Sequence, residues 1–447
     1  MDDLFAARTI MAVSLGFHIL FAIAGMAMPS LMVAATLMHQ RTGAREWRDL
    51  SRRWAKGTAI LFAVGAVSGT VLSFELGLLW PRFMELFGPL VGLPFTLEGF
   101  AFFFEGIFLG ILLYGGDRLT PKTELFAGAA IALSGVVGGA LVLAVNGFMN
   151  TPRGFRIDDD GKIVDIDPLA AMFNPAFASE ALHMILAAYA ATSVLVLGVH
   201  AVLYRRAPSL LHRAALRLTL VFALVAVPLL LASGDLAAKH IAKHQPLKLA
   251  AAEALFHTTT AAPLTIGGIP EMDTGEVHFA IEIPYALSIL AFADPGAEVK
   301  GLDAFPRELW PPVVVTHIAF QVMVGAGLAM LALVLLGAFV WKRLGGPEQS
   351  PLFLRLATYA SPLGLIAIEA GWTVTEVGRQ PWIVNGVLLV KDAVTPLGGL
   401  VIHLIGFVSL YLFLGIVVVV LLRRHLLLST NEGAHPPESD AHQRRAS

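Results

Sequence analysis

Nine stretches of this chain are apolar for long enough to cross a bilayer: residues 9–38, 55–79, 94–115, 124–148, 178–203, 214–233, 313–341, 353–373 and 396–422. A hydrocarbon layer about 30 Å thick needs about 20 residues of helix, and only helices or closed barrels satisfy their own backbone there. The chain therefore reads as all-α, a polytopic membrane helix bundle of about nine transmembrane helices. Composition agrees, with 56% hydrophobic and 14% charged residues against about 25% charged in a soluble domain. The absence of cysteine excludes disulfides, Cys-ligated zinc, Cys-bound iron–sulfur clusters and thioether-linked heme. The formal net charge of −2 selects no partner, and no nucleic-acid partner is expected.

The connections alternate in charge. Arg41, Arg45, Arg48, Arg52, Arg53 and Lys56 fill the first, Arg205, Arg206, Arg213 and Arg217 another, and Lys342, Arg343 and Arg355 a third, while Arg423 and Arg424 follow the last stretch. The positive-inside rule then puts the N-terminus outside and the C-terminus inside, which suits an odd number of spans. The start, Met1-Asp-Asp-Leu-Phe-Ala-Ala-Arg8, lacks a basic n-region, so the first stretch is expected to be a permanent helix. The expected organisation is helices one to six over 1–233, an ordered external segment over 234–312, helices seven to nine over 313–428 and a disordered cytoplasmic tail over 429–447. No internal repeat is evident.

Few polar groups fall inside the spans. Glu98 and Glu105 lie seven residues apart in the third, almost two helical turns, so both carboxyls point the same way. A carboxylate in hydrocarbon costs about 2.5–3.5 kcal/mol or more. Such a pair serves a proton path, a cation site or interhelical hydrogen bonds, and the pair alone leaves these open. His18 sits in the first span, His183 in the fifth, Met323 in the seventh and Glu369 in the eighth. With the expected orientation these four and Glu98 share the outer half of the membrane. Imidazole, thioether and carboxylate all ligate heme iron, but a lone membrane histidine or methionine also serves as core. His200, His317 and His403 fall in or beside helices too, so composition does not choose among them.

Glu369-Ala-Gly-Trp372, followed by Glu376-Val-Gly-Arg-Gln-Pro-Trp382, resembles the signature of subunit I of the cytochrome bd quinol oxidases. Phe17-His18, Glu98-Gly99, Gly116-Asp-Arg-Leu119, Ala144-Val-Asn-Gly147, Asn174-Pro175, Lys248-Leu-Ala-Ala-Ala-Glu253, Gly268-Ile-Pro270 and Ile283-Pro-Tyr-Ala-Leu287 extend the resemblance from Arg8 to about residue 420. It implies a heme-bearing quinol oxidase of the bacterial cytoplasmic (inner) membrane that reduces O2 to water. The implied cofactors are two heme b, one low-spin and one high-spin, and one heme d. His183 and Met323 match the ligands of the low-spin heme. His18 and Glu369 match those of the two high-spin hemes, without settling which serves heme d. Arg8, Trp372 and Arg379 would line heme pockets, and Lys248 and Glu253 match the quinol-site pair. Asp117, Glu105 and Glu98 match a proton path from the inner side, with Glu98 beside the high-spin pair, and Ser134 of the fourth span could help along that path. The implied partners are a homologous subunit II, a small single-helix subunit, quinol, O2 and the lipid bilayer.

Some positions depart from the family pattern. Gln321 stands where many members carry Arg, Glu75 where many carry Gln and Leu365 where many carry Trp. The external segment, though about 80 residues long, is short for the family, which resembles the branch that includes the cyanide-insensitive oxidases. Quinol protons released outside and oxygen protons drawn from inside would build a gradient without a pump. Two other classes compete on the residues alone: a cation-coupled transporter using Glu98, Glu105 and Glu369, and a heme-bearing anchor that only relays electrons. The missing repeat counts against the first, and Glu369 with the large external segment counts against the second.

Overall fold

A computed structural model describes the backbone of residues 2–431 and the side chains of residues 2–425 apart from Asp117. Among the described residues nine helices are long and apolar enough to cross a membrane: Asp3–Thr42, Arg45–Leu79, Pro81–Gly115, Pro121–Asn150, Phe177–Arg206, Leu210–His244, Val313–Leu344, Pro351–Val377 and Leu400–His425. These are the first to ninth spans, in the number and order the apolar stretches predict.

Local chemistry sets their ends. Asp2 accepts the Leu4 amide at the start of the first span, and Gly43, with φ +69°, closes it in the left-handed conformation that favours glycine. Ser209 Oγ accepts the His212 amide, 3.2 Å, to open the sixth. Asn174 opens the fifth: its Oδ1 accepts the amides of Ala176 and Phe177, while its Nδ2 donates to Ala144 O in the fourth span, 2.8 Å. One side chain thus caps one helix and ties it to another.

Several boundaries differ from the expected ones, the second helix beginning at Arg45 rather than 55, and three show why. The third helix begins at Pro81 rather than 94, because the ion-paired Arg82 and Glu85 lower the hydropathy of a segment that is nonetheless helical. The sixth runs on to His244, past the expected limit at 233. Its last turns carry the Asp235–Lys239 pair and end on Lys243 and His244, cations that suit a helix C-terminus. The eighth is two helices, Pro351–Ala360 and Leu363–Val377, parted at Ser361–Pro362 because proline cannot donate within a helix.

The first span is the hub, packing on the second, fourth, fifth and ninth. Membrane helices gain little from hydrophobicity against one another and associate through close packing and polar contacts. Gly135 of the fourth span abuts the backbone of Gly25, where a Cβ would come 2.7 Å from the Gly25 carbonyl oxygen. Ser30 and Tyr189 join the first and fifth spans at 2.6 Å. At the basic end of the bundle the buried Glu348 carboxylate accepts both Arg217 Nη2 and Nε. The third and ninth spans leave large apolar side chains exposed, among them Phe100, Phe103, Ile402 and Leu412.

The connection between the sixth and seventh spans holds a short helix, Pro246–Glu253, an antiparallel hairpin of Leu264–Glu271 with Glu276–Ile283, and a second short helix, Ala286–Phe292. Its apolar residues bury Ala242 of the sixth span in one cluster and Val313 of the seventh in another, which pins it to both. The ninth helix continues to Asn431; residues 432–447 of the expected tail lie outside the described residues.

Candidate functional site

His18 and His183 sit in seats of one design. In each, Nδ1 meets a serine hydroxyl at 3.0 Å: Ser68 of the second span for His18, Ser233 of the sixth for His183. Each hydroxyl donates its single hydrogen to a carbonyl of its own helix, Ser68 to Val64 at 2.9 Å and Ser233 to Leu230 at 2.8 Å. Nδ1 must therefore be the donor to the serine. That tautomer leaves the Nε2 lone pair free, and among the described residues Nε2 makes no hydrogen bond in either histidine. A glycine follows each serine. A Cβ on Gly69 would lie 2.9 Å from His18 Cε1, and one on Gly234 would lie 3.4 Å from His183 Cε1.

Glu369 and Met323 are seated on glycines as well. A Cβ on Gly16 would lie 3.1 Å from Glu369 Oε2, and one on Gly371 would lie 3.1 Å from Met323 Sδ. Residues 16 and 18 project from opposite sides of a helix. His18 thus faces the second span while Glu369 approaches the other face of the first.

These donors suit heme. Imidazole and thioether are usual axial ligands of heme, a carboxylate oxygen can also bind iron, and hydrogen-bonded Nδ1 groups of this kind orient a metal-ligating imidazole. Buried donors lacking acceptors lie close by in sequence to Glu369: Trp372 Nε1, Arg379 Nε and Arg379 Nη1. Buried polar groups are nearly always paired, and heme propionates are anionic acceptors that such donors would take. Glu369 Oε1 is also buried without a partner. Arg8, in contrast, is exposed.

On the third span Glu105 is buried and its Oε1 has no partner. A Cβ on Gly25 would lie 3.1 Å from that oxygen, so Glu105 enters where the first and fourth spans touch. Glu98, two turns along, is half-buried. Asp117 lies in the turn Gly116–Arg118, and its side chain lies outside the described residues.

Lys248 and Glu253 share the helix Pro246–Glu253 and are both buried, but they turn to different neighbours. Lys248 Nζ donates to Asn150 Oδ1, 2.9 Å. Asn150 Nδ2 donates in turn to Glu180 and Asn146, and Asn146 donates to Glu376, 2.6 Å, which also accepts Arg379. Burial brings the Lys248 ammonium down to about 8, against the pull of Glu180. Glu253 lies beside the Thr265 backbone, where burial pushes its carboxyl up to about 8, and neither oxygen makes a full hydrogen bond.

Gln321 accepts the Gly267 amide at 2.9 Å and donates to the Thr265 carbonyl at 2.8 Å. His317, one turn earlier, stands between the carbonyls of Ala252 and Gly267. Together they clip the hairpin and the end of the Lys248 helix to the seventh span.

Sequence reasoning passed over Glu180, Asn150 and the Ser68-Gly69 and Ser233-Gly234 pairs, and gave Glu376 no role of its own. Signals for some of them were there. Glu180 precedes His183 by three residues and shares its helix face. Each Ser-Gly pair begins fifty residues after its histidine.

The family model described as cytochrome bd terminal oxidase subunit I matches residues 6–429. The chain is 38% identical over 428 residues to a putative cytochrome bd menaquinol oxidase subunit I of Bacillus subtilis (strain 168), covering 94% of this chain and 96% of that protein. It is 28% identical over 485 residues to the cytochrome bd-II ubiquinol oxidase subunit 1 of Escherichia coli (strain K12), covering 92% and 94%. Among solved structures, the bd oxidase from Geobacillus thermodenitrificans matches with TM-score 0.89 at 38% identity, over 95% of this chain and 98% of that one.

Proposed function

The chain belongs to the cytochrome bd terminal oxidase subunit I family, and from that premise we propose that it oxidises quinol at the end of the bundle carrying Lys248 and Glu253 and reduces oxygen beside the first span. It is the heme-bearing, catalytic subunit of a quinol:oxygen oxidoreductase, a multi-pass protein of the bacterial cytoplasmic membrane that works with a second subunit.

In this reading the N-terminus and the 234–312 segment lie outside, as the distribution of Arg and Lys requires. His183 and Met323 would hold the low-spin heme b. His18 and Glu369 would hold the high-spin heme b and heme d, in an order left to experiment. Bound heme supplies the iron that carries electrons from quinol and binds and reduces oxygen.

Everything else falls to the chain's own side chains. The Ser68 and Ser233 hydroxyls hold the two imidazoles in the tautomer that presents Nε2. Trp372 and Arg379 offer unpaired donors to propionates. Glu253 takes a proton from the quinol as a general base, and its burial beneath the hairpin keeps bulk water from competing. Lys248, fixed on Asn150, polarises a quinone oxygen. Glu105 passes protons arriving from the inner side, by way of Asp117 and Ser134, toward Glu98. Quinol protons leave outside and oxygen protons arrive from inside, which charges the membrane without a pump. The apolar faces of the third and ninth spans suit subunit II, with room for a small single-helix subunit.

The observation that carries this reading is the repeated Ser-Gly seat, which readies two intramembrane imidazoles as ligands. Reduced-minus-oxidised spectra of membranes test it. Heme b bands with a red-shifted chlorin band are expected. Heme b bands alone would favour an electron relay, and no heme at all would return the intramembrane carboxylates to a cation-coupled transporter.

A further inference from the structure

The buried carboxyl of Glu75 takes no part in this scheme and, unlike that of Glu348, has no cation beside it among the described residues. Glu75 of the second span is 1% exposed. Its Oε1 accepts the Ser14 hydroxyl of the first span at 2.7 Å, while its Oε2 is buried with no partner. The phenol of Tyr411, from the ninth span, faces the same carboxyl, and its oxygen too is buried without a partner. Among the described residues no cation pairs with Glu75. A glutamine here would make the same bond to Ser14 without the cost of an acid in hydrocarbon. Only an acid can hold and release a proton.

Its position gives that proton a destination. Ser14 and His18 are four residues apart on one face of the first span, and Ser68 and Glu75 are seven apart on one face of the second. The interface of these two helices therefore carries the Glu75–Ser14 pair about one turn from the His18–Ser68 pair. Gly25, seven residues beyond His18 on the same face, receives Glu105. His18 is bracketed along the first span by two buried carboxyls. Each has an unpartnered oxygen, and they arrive from different helices.

We propose that Glu75 is a proton-holding residue for the site at His18, lying across that site from Glu105. The proposal rests on the reading of His18 as a heme ligand on the oxygen side. Each O2 takes four electrons, supplied by quinol, and four protons to give two waters. Glu75 gives one of those protons, becomes a carboxylate that still accepts the Ser14 hydroxyl, and takes up a proton drawn from the inner side before the next turnover.

The test uses the purified oxidase with Glu75→Gln and Glu75→Asp, read by redox-difference infrared spectroscopy in H2O and D2O. The oxygen reaction of the fully reduced enzyme is timed alongside. Glu75→Gln should remove one deuterium-sensitive carboxylic-acid carbonyl band and slow the proton-linked phase about 10²-fold, the lower end for a positioned proton donor. Glu75→Asp should return the band at a shifted position with most of the rate. Unchanged bands and kinetics in Glu75→Gln would overturn the proposal. Should Glu75→Gln lose heme, the wild-type and Glu75→Asp spectra decide, because an unmoved carbonyl band refutes the assignment. His18→Ala separates the underlying reading: a full set of heme bands in that variant would refute His18 as a ligand, whatever Glu75 does.

Discussion

Replacing Gly69 by alanine should cost the His18 site its heme, while the same change at Gly234 should be tolerated. The two glycines occupy equivalent seats, but a Cβ on Gly69 would lie 2.9 Å from His18 Cε1 and one on Gly234 would lie 3.4 Å from His183 Cε1. The second distance is ordinary van der Waals contact. The first forces the imidazole back by about 0.5 Å, roughly the whole positional tolerance of a metal-binding constellation. Ser68 holds Nδ1 at 3.0 Å, so the ring cannot swing away without losing that bond. Overpacking of this kind costs about 1–3 kcal/mol, which is about 5- to 150-fold in heme affinity at 1.4 kcal/mol per tenfold. Heme per protein, from pyridine hemochrome, and reduced-minus-oxidised spectra read the result. Gly69→Ala should lose or shift high-spin bands only, and Gly234→Ala should keep all of them. Full, unshifted high-spin bands in Gly69→Ala would refute the argument that this glycine makes room for a ligand.

Glu105→Gln should slow oxygen reduction while leaving heme content intact, because it removes a proton station without touching a candidate ligand; normal turnover would take Glu105 off the path. The pH dependence of kcat/KM for quinol should be bell-shaped near pH 8. With Glu253 pushed up to about 8, the base form appears as pH rises through that value. With Lys248 brought down to about 8, its ammonium form is lost over the same range. Glu253→Gln should erase the rising limb and Lys248→Met the falling one, and a flat wild-type profile would contradict both roles. Gln321→Ala should loosen the hairpin, seen as faster amide exchange at Gly267, since Gln321 accepts that amide; unchanged protection there would show that the clip is not needed.

The nine spans were legible because hydrocarbon admits little besides long apolar helices. The errors came where helices leave that solvent. The third helix starts at Pro81 and the sixth ends at His244, and in both the extra turns carry charged pairs that hydropathy discounts. The break at Ser361–Pro362 was written in the proline but hidden inside an apolar run. At the site, His18, His183, Met323 and Glu369 stood out as polar groups in apolar surroundings, and the family resemblance gave them roles. What each one touches was not legible, because the glycines and serines that seat them come from other helices. The five-residue spacing of Lys248 and Glu253 already argued against a shared face, and the structure turns them to different neighbours. Asn150 and Glu376, which complete the Lys248 network, lie far from it in sequence and are joined only by the fold.

If this bundle holds iron through side chains from separate spans, Met323 is the ligand whose loss a spectrum reads most plainly. Its thioether packs on Gly371, and a leucine of similar volume fits the same space without a ligating atom. The reduced-minus-oxidised spectrum of Met323→Leu membranes should show the low-spin heme b band converted to high-spin, with the remaining heme bands intact. An unchanged low-spin band would contradict the account.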